Sequence, residues 1–315
     1  MNHKLVVIVL VYNSSVDART CVDGLLSFDL PLQVIIVDNC SPDGSYGVLG
    51  RAYETIRQVD VIQTDANRGY SAGNNFGIRY AMDHYDFDTV AIMNPDIVIP
   101  AEDVLLGLMR VLWASDDVLA VGGQPLNHLD GDAVWPSSWN LPTACGVVLS
   151  HCLLSGGETR GDVIEVAPNV FSVDCVVGCF FLARLEMFLE IGLFDEGVFL
   201  YNEENIVGVK CRAAGLRILV DKSQAYYHNH PVSEAGGKPL KARIRSSRVG
   251  YRSRRYLAKK YYSPALVFPL WCIEVINEVI IALDCLRCAL IGSDRGGRSS
   301  SRIVGSGQSA NMDLD

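Results

Sequence analysis

The chain predicts an α/β fold, a doubly wound and mostly parallel sheet followed by a C-terminal helical extension. Three observations carry that prediction. Leu5–Val11 and 34–37 are apolar, β-branched runs without alternation, as strands covered on both faces should be. Each run ends in polar residues with turn chemistry, and a helical pattern separates one run from the next.

Taken in order, Leu5–Val11 is the first strand and closes in Tyr12-Asn13-Ser14-Ser15. The four residues before it lack the length and cleavage pattern of a leader, so this run reads as a buried strand. Residues 16–27 suit a short helix, and the second strand, 34–37, closes in Asp38-Asn39-Cys40-Ser41-Pro42-Asp43-Gly44. Val59–Gln63 is a third strand, 71–84 a helix, Thr89–Met93 a fourth strand, and 101–113 a helix starting just after Pro100. The stretch 122–172 is irregular and predicts a loop-rich insertion. Beyond it come a strand-like run at 173–183, a short helix at 184–190, and a helix at 203–214 with an acidic first turn and Gly215 as its stop. Two short strands, 217–220 and 224–227, precede His228-Asn229-His230, and helices follow at 238–262 and 265–290. A Gly/Ser-rich tail from Ser293 predicts disorder. The expected division is a domain at 1–232, with a nucleotide-binding half 1–121 and an acceptor half 122–232, then helices at 233–292 and the tail at 293–315.

Composition narrows the function classes. Apolar residues at 49% and charged residues at 20% are ordinary for a globular enzyme. Of ten cysteines only Cys175/Cys179 and Cys285/Cys288 lie close together, without zinc spacing, which favours free thiols in a reducing cytoplasm. The net charge of −9 is uneven: 238–260 holds ten Lys/Arg and no acid. Lys241, Arg245, Arg248, Arg252, Arg255 and Lys259 recur at helical spacing as one basic stripe, suited to an anionic membrane surface through 238–291. Glu274, Glu278 and Asp284 on the next helix offer internal pairing instead, and both readings stay open. Those charges also interrupt 265–290, so the expectation is a helix lying on a surface and not a span. A basic stripe without a recognition fold does not read as nucleic-acid binding.

Ligands of such sheets bind beyond the carboxyl ends of the strands, where Asn13, Asp38, Asn67 and Asp96 fall. Asn94-Pro95-Asp96 puts a carboxylate at a strand end, enough for magnesium or manganese that shares its shell with substrate phosphates. In Asn67-Arg68-Gly69-Tyr70-Ser71-Ala72-Gly73-Asn74-Asn75-Phe76-Gly77, glycines four apart let the backbone approach either a ligand or the sheet. Arg68 and the helix N-terminus suit phosphate.

Together these residues resemble a family. Val11-Tyr12-Asn13, Ile36-Val37-Asp38-Asn39-x-Ser41-x-Asp43-Gly44, the segment from Asn67 to Gly77, Met93-Asn94-Pro95-Asp96, Val177-Gly178-Cys179-Phe180-Phe181 and Gly192-Leu193-Phe194-Asp195-Glu196 through Glu203-Glu204 look like the ordered blocks of family 2 glycosyltransferases with the GT-A fold, notably rhamnosyltransferase-like members, over residues 4–232. The resemblance implies an inverting transfer from a nucleoside diphosphate sugar to a hydroxyl, aided by Mg2+ or Mn2+. It implies that Val11, Tyr12, Asn13 and Asp38 hold the nucleoside, and that Asn67, Arg68, Gly69, Asn75 and Asn94 line the nucleotide-sugar side. Asp96 would meet metal and diphosphate, with His228, preferred over His230, as a second metal contact. Asn94 stands where the family's metal motif has its first Asp. Glu204 occupies the position of the catalytic base, with Glu203 as runner-up, and a helix N-terminus is expected to keep them ionised. The expected activity adds one sugar to a growing, lipid-linked surface saccharide, from the cytoplasm or peripherally on the inner face of the membrane. Glu204 in place of Asp, and Ile206 where many members have another Asp, leave open a nucleotide-sugar-binding assembly subunit.

Overall fold

The unalternated runs form the middle of a sheet because each strand is covered on both faces. The structure, a computed structural model, describes residues 3–127, 131, 136–149, 164–229 and 239–293. Its elements run β1 (Leu5–Val11), α1 (Ser15–Leu26), β2 (Leu32–Asp38), α2 (Ser45–Tyr53), β3 (Val59–Gln63), α3 (Tyr70–His84), β4 (Thr89–Met93), β5 (Ile97–Val98), α4 (Glu102–Leu112) and β6 (Val118–Asn127). They continue with β7 (Ser138–Trp139), α5 (Ala144–Leu149), β8 (Ile164–Ala167), β9 (Val170–Val173), β10 (Cys175–Val176), β11 (Phe180–Arg184), α6 (Leu185–Glu190), α7 (Glu203–Ala213), β12 (Arg217–His228), α8 (Leu240–Leu257) and α9 (Val267–Ser293). A five-residue π-helical stretch, Ala258–Tyr262, prolongs α8.

The main sheet has the order β3-β2-β1-β4-β11-β6-β12-β9-β8, with β5 paired to the end of β12. The strands from β3 to β4 are mutually parallel; β11 runs antiparallel to β4 and β6, and β6 is parallel to β12. Side chains alternate across a strand, so Val7, Val9 and Val11 of β1 pack with Val22 and Leu25 of α1 and Leu105 and Leu108 of α4. Val6, Ile8 and Leu10 instead pack with Ile78 of α3, Phe188 of α6 and Val207 of α7. Both faces are thereby closed, and the strand ends are left to carry chemistry.

Four parts of the sequence reading are corrected. The region expected to be irregular holds β6, a central strand: a Cβ at Gly123 would meet the Gln224 carbonyl of β12 at 2.4 Å, so residues that read as turn chemistry serve close strand contact. α2 went unpredicted because few of its side chains are buried, Leu49 and Tyr53 being the apolar ones. β12 is one strand of 12 residues, irregular between Val220 and Ala225, where two short strands were expected, and 173–183 is divided among β9, β10 and β11.

The described residues fall into two compact units, one comprising residues up to Leu141 with 164–229, the other 142–149 with 239–293. In the second unit α8 and α9 pair through Arg243 with Asp284 at 2.9 Å, Arg248 with Glu278 at 2.6 Å, and Arg255 with Glu274. Part of the predicted basic stripe is therefore used internally. Pro264–Arg287 is nonetheless long and apolar enough to cross a membrane by length and composition. Its acids lie on the side turned to α8, so they interrupt the sequence without interrupting an apolar face. The proposed disordered tail lies outside the described residues from 294 on, as does His230.

Candidate active site

Parallel pairing of β1 with β2 sets Val11 opposite Asp38, bringing the first two motifs together at the carboxyl edge. Val11 is fully buried and acts through its carbonyl, which accepts from the Asn39 N–H at 2.8 Å. Asn13 takes a left-handed φ of 55° and donates its N–H to Ser41 Oγ at 3.0 Å; Tyr12 beside it is half-buried. Asp38 is fully buried. One carboxylate oxygen accepts from Gln63 Nε2 at 2.8 Å and the Ser41 N–H at 3.0 Å. Its other oxygen is buried without a partner, as are Asn13 Oδ1 and Ser14 Oγ. Such atoms cost about 1–3 kcal/mol each when left unsatisfied, and these three lie at the adjacent ends of β1 and β2. Sequence reasoning missed Gln63, which sits at an unremarkable strand end, and Asn39. Asn39 Nδ2 donates to Asn67 Oδ1 at 3.0 Å and the Gly69 carbonyl at 3.2 Å, tying β2 to α3.

The glycine segment resolves into two roles. Gly73 and Gly77 serve packing, since Cβ atoms there would stand 2.5 Å from Leu10 and 2.7 Å from Val37. Gly69 has φ 95°, and its absent Cβ leaves room for the Phe199 carbonyl, 2.1 Å from where that atom would be. Tyr70 donates its N–H to the same carbonyl at 2.8 Å. Gly69→Ala should therefore cost about 3 kcal/mol or more, read as a lower midpoint in denaturant unfolding.

Two predicted donor-side residues have protein partners. Arg68 is solvent-exposed and pairs with Asp65 at 2.7 Å, an exposed pair of little energetic weight. Asn75 is buried with its amide fully engaged: Nδ2 donates to the Phe194 carbonyl at 3.0 Å and Glu196 Oε1 at 2.9 Å, and Oδ1 accepts from the Phe194 N–H at 3.1 Å. The helix turns Asn75, expected as a nucleotide-sugar contact, to the 194–196 loop, where its amide holds that loop. Asn75→Ala should lower stability by about 3 kcal/mol while leaving donor affinity unchanged in titration.

Antiparallel pairing of β5 with β12 sets His228 opposite Ile97, and this brings His228 Nε2 to 3.3 Å from Asp96 Oδ2. Both are mostly enclosed, at 11% and 16% side-chain exposure. Burial would lower the imidazole pKa, but hydrogen bonding to Asp96 and Cys179 overrides it and raises His228 to about 10. Asn94 is half-buried and donates its N–H to the Cys179 carbonyl at 2.8 Å. Burial and the charge of Asp96 raise the carboxyl of Asp17, so negative potential collects here. Among the described residues no third His, Cys, Asp or Glu joins a metal-competent group. One carboxylate oxygen and, once it has given up its proton, one imidazole nitrogen would fit a divalent ion that completes its shell with diphosphate oxygens and water.

Glu203 and Glu204 open α7 after Tyr201 and Asn202, both left-handed at φ 72° and 69°. Glu204 Oε1 accepts from the Gly178 N–H at 3.2 Å, and a Cβ at Gly178 would come within 2.7 Å of that oxygen. Tyr70 OH donates to the Gly178 carbonyl at 2.6 Å, so the donor-side helix reaches the acidic pair. Trp139 of β7 donates Nε1 to Asn205 Oδ1 at 3.0 Å, a contact from within the region where no chemistry was read. At both acids burial opposes the helix N-terminus, which was expected to keep them ionised. Burial, then the neighbouring charge of Glu204, raises Glu203 to about 8 against backbone N–H groups that oppose it; burial raises Glu204 as well.

Comparison with known proteins identifies the family and the fold. The chain is 26% identical over 241 residues to a low-salt glycan biosynthesis hexosyltransferase, Agl10, of Haloferax volcanii, covering 74% of this chain and 70% of that one. It is 26% identical over 219 residues to an N-acetylglucosaminyl-diphospho-decaprenol L-rhamnosyltransferase of Mycobacterium tuberculosis, covering 64% and 68%. Among solved structures it resembles PcManGT, a mannosyltransferase of Pyrobaculum calidifontis in complex with GDP-Man and Mn2+. That match has a TM-score of 0.56 at 18% identity and covers 95% of this chain and 77% of the other. GalNAc-T7 with UDP, GalNAc and Mn2+ matches at TM-score 0.57 and 13% identity, over 82% and 51%. The fold is that of GT-A glycosyltransferases. The model of Glycosyl transferase family 2 matches residues 6–188, more than half of the chain, from β1 into α6, and the chain belongs to that family.

Proposed function

We propose that this glycosyltransferase moves one sugar from a nucleoside diphosphate sugar to an acceptor hydroxyl with inversion, Glu204 serving as base. The observation that carries the reading is the enclosed acidic pair at the start of α7, held through Gly178 and Tyr70 to the donor-side helix. Glu204 receives the Gly178 N–H, which favours its ionised form, whereas Glu203 is buried with Oε1 lacking a partner. The pair therefore holds a proton near neutral pH, and Glu203 is its better site. Glu204 takes the acceptor's proton as the acceptor oxygen bonds to the anomeric carbon and the bond to diphosphate oxygen breaks, the electron pair leaving with the diphosphate.

At the other end, the buried carboxylate of Asp38 and the amide of Asn13 offer acceptors to a nucleobase and ribose. Asp96 and His228 would hold the divalent ion, which supplies charge stabilisation at the leaving diphosphate. With two protein ligands, that ion depends on the donor's phosphates for the rest of its shell. The acceptor is proposed to be a lipid-linked saccharide at the cytoplasmic face of the membrane, a reading supported by the decaprenol-linked acceptor in the name of the mycobacterial relative.

Incubation with a panel of nucleoside diphosphate sugars, lipid-linked acceptors and Mn2+ tests this, with the anomeric configuration of the product read by NMR. Inversion is expected; a product that retains the donor's configuration, or a failure to consume any donor, would refute the single-displacement reading.

A further inference from the structure

The pair of helices α8 and α9 carries a chemical asymmetry that sugar transfer does not use. Phe268, Trp271, Val275, Val279, Leu283 and Leu286 recur three and four residues apart, and each is 45% to 72% exposed. They form one apolar stripe along α9. Its acids face away from the stripe and hold Arg255, Arg248 and Arg243 of α8, and Asn277 Nδ2 donates to Ser247 Oγ at 3.1 Å in the same seam. α8 is thus fastened along α9. Residues 239–287 contain ten Lys/Arg against three acids, a net of +7.

The possible coverings of the stripe make different demands. Crossing a bilayer is allowed by the length of Pro264–Arg287, but α8 is bound alongside, and a span would draw its arginines and lysines to hydrocarbon depth, where charge is most costly. Pairing with a second copy through the stripe would bring two hairpins of +7 together. Lying flat puts the apolar residues at the acyl boundary and Trp271 at the interface that indole prefers. It also keeps the basic side chains within a Debye length, about 8–10 Å, of an anionic surface.

We propose that the α8–α9 hairpin docks the protein on an anionic bilayer, with α9 lying in the interfacial plane and not crossing it. This rests on no assumption about the donor or the base. The test is cosedimentation of the full chain with phosphatidylcholine vesicles, with and without 30% phosphatidylglycerol, without any sugar nucleotide.

Binding is expected on the anionic vesicles, about five-fold weaker for each basic charge removed, and reversible by high salt or alkaline carbonate. Val279→Asp with Leu283→Asp, on the exposed stripe, should lose more than about ten-fold in partition. Lys241→Glu, Arg252→Glu and Lys259→Glu together should lose about a hundred-fold or more on anionic vesicles only. Unfolding midpoints of both variants check that the hairpin is intact, and donor hydrolysis, measured separately, reports on the transfer reading alone. Resistance to carbonate extraction would establish a span and overturn the proposal. So would vesicle binding that ignores both variants, or a dimer in solution that the Val279/Leu283 variant breaks while the parent ignores vesicles.

Discussion

Glu204→Gln is expected to lower turnover by about a thousand-fold, within the range that general bases supply, while binding donor as the parent does. The amide keeps the shape of the side chain and accepts the Gly178 N–H, but it cannot take the acceptor's proton. Isothermal titration with donor and Mn2+, beside steady-state rates, separates the two effects. Turnover near that of the parent would remove Glu204 from the mechanism and point to Glu203. Donor binding by the parent with no turnover on a broad acceptor panel would instead favour a binding subunit.

The pH profile follows from the same pair. Both carboxyls are raised by burial, Glu203 to about 8, so the proton-accepting form is the minority at acid pH and gains as pH rises. The rate should climb with pH as Glu204 ionises. Glu203→Gln removes a buried neighbour that can carry like charge, so the rising limb should move to lower pH. The stability contribution has the opposite sign. A carboxyl whose folded pKa is raised contributes most below its unfolded value, and that contribution is lost as pH climbs through the folded one.

The second large effect is at Asp96. Asp96→Ala should abolish metal-dependent stabilisation by donor and lower turnover by about a thousand-fold or more, because the proposed site would be left with a single protein ligand. The measurement is a thermal-shift series with donor alone, metal alone and both. In the parent the combined shift should exceed the sum of the separate ones, and in the variant metal should add nothing. An unchanged combined shift in Asp96→Ala would place the ion elsewhere.

Much of this site was legible because strand ends announce themselves. An apolar run that stops at Asp38 or Met93 has one place to put the next polar side chain, so Asp38 and Asp96 stood out by position, and the resemblance to a family supplied their expected roles. His228 was placed beside Asp96 by β5, two residues long, a pairing that no periodicity reveals. The clamp of Asn75 on Phe194 was not legible, because the helix turn that carries it there depends on tertiary packing, which spacing does not encode. The acidic pair was legible but its burial was not: position in a helix is visible in sequence, whereas the depth at which that helix begins is not. β6 stayed hidden for a related reason, since Gly122 and Gly123 spell a turn until a neighbouring strand is seen to need their missing side chains.

The contact of Gly69 and Tyr70 with Phe199 and Gly178 has a consequence for the order of events. A donor that settles residues 67–70 also settles the loop that leads into α7, because the two share a backbone hydrogen bond and a packing gap too narrow for one methyl group. The entropy lost in arranging the acceptor side is then already spent when the first substrate is in place. Linkage makes the effect mutual, so each substrate should bind more tightly in the presence of the other, and the smallest side chain in the cleft sets the strength of that cooperation.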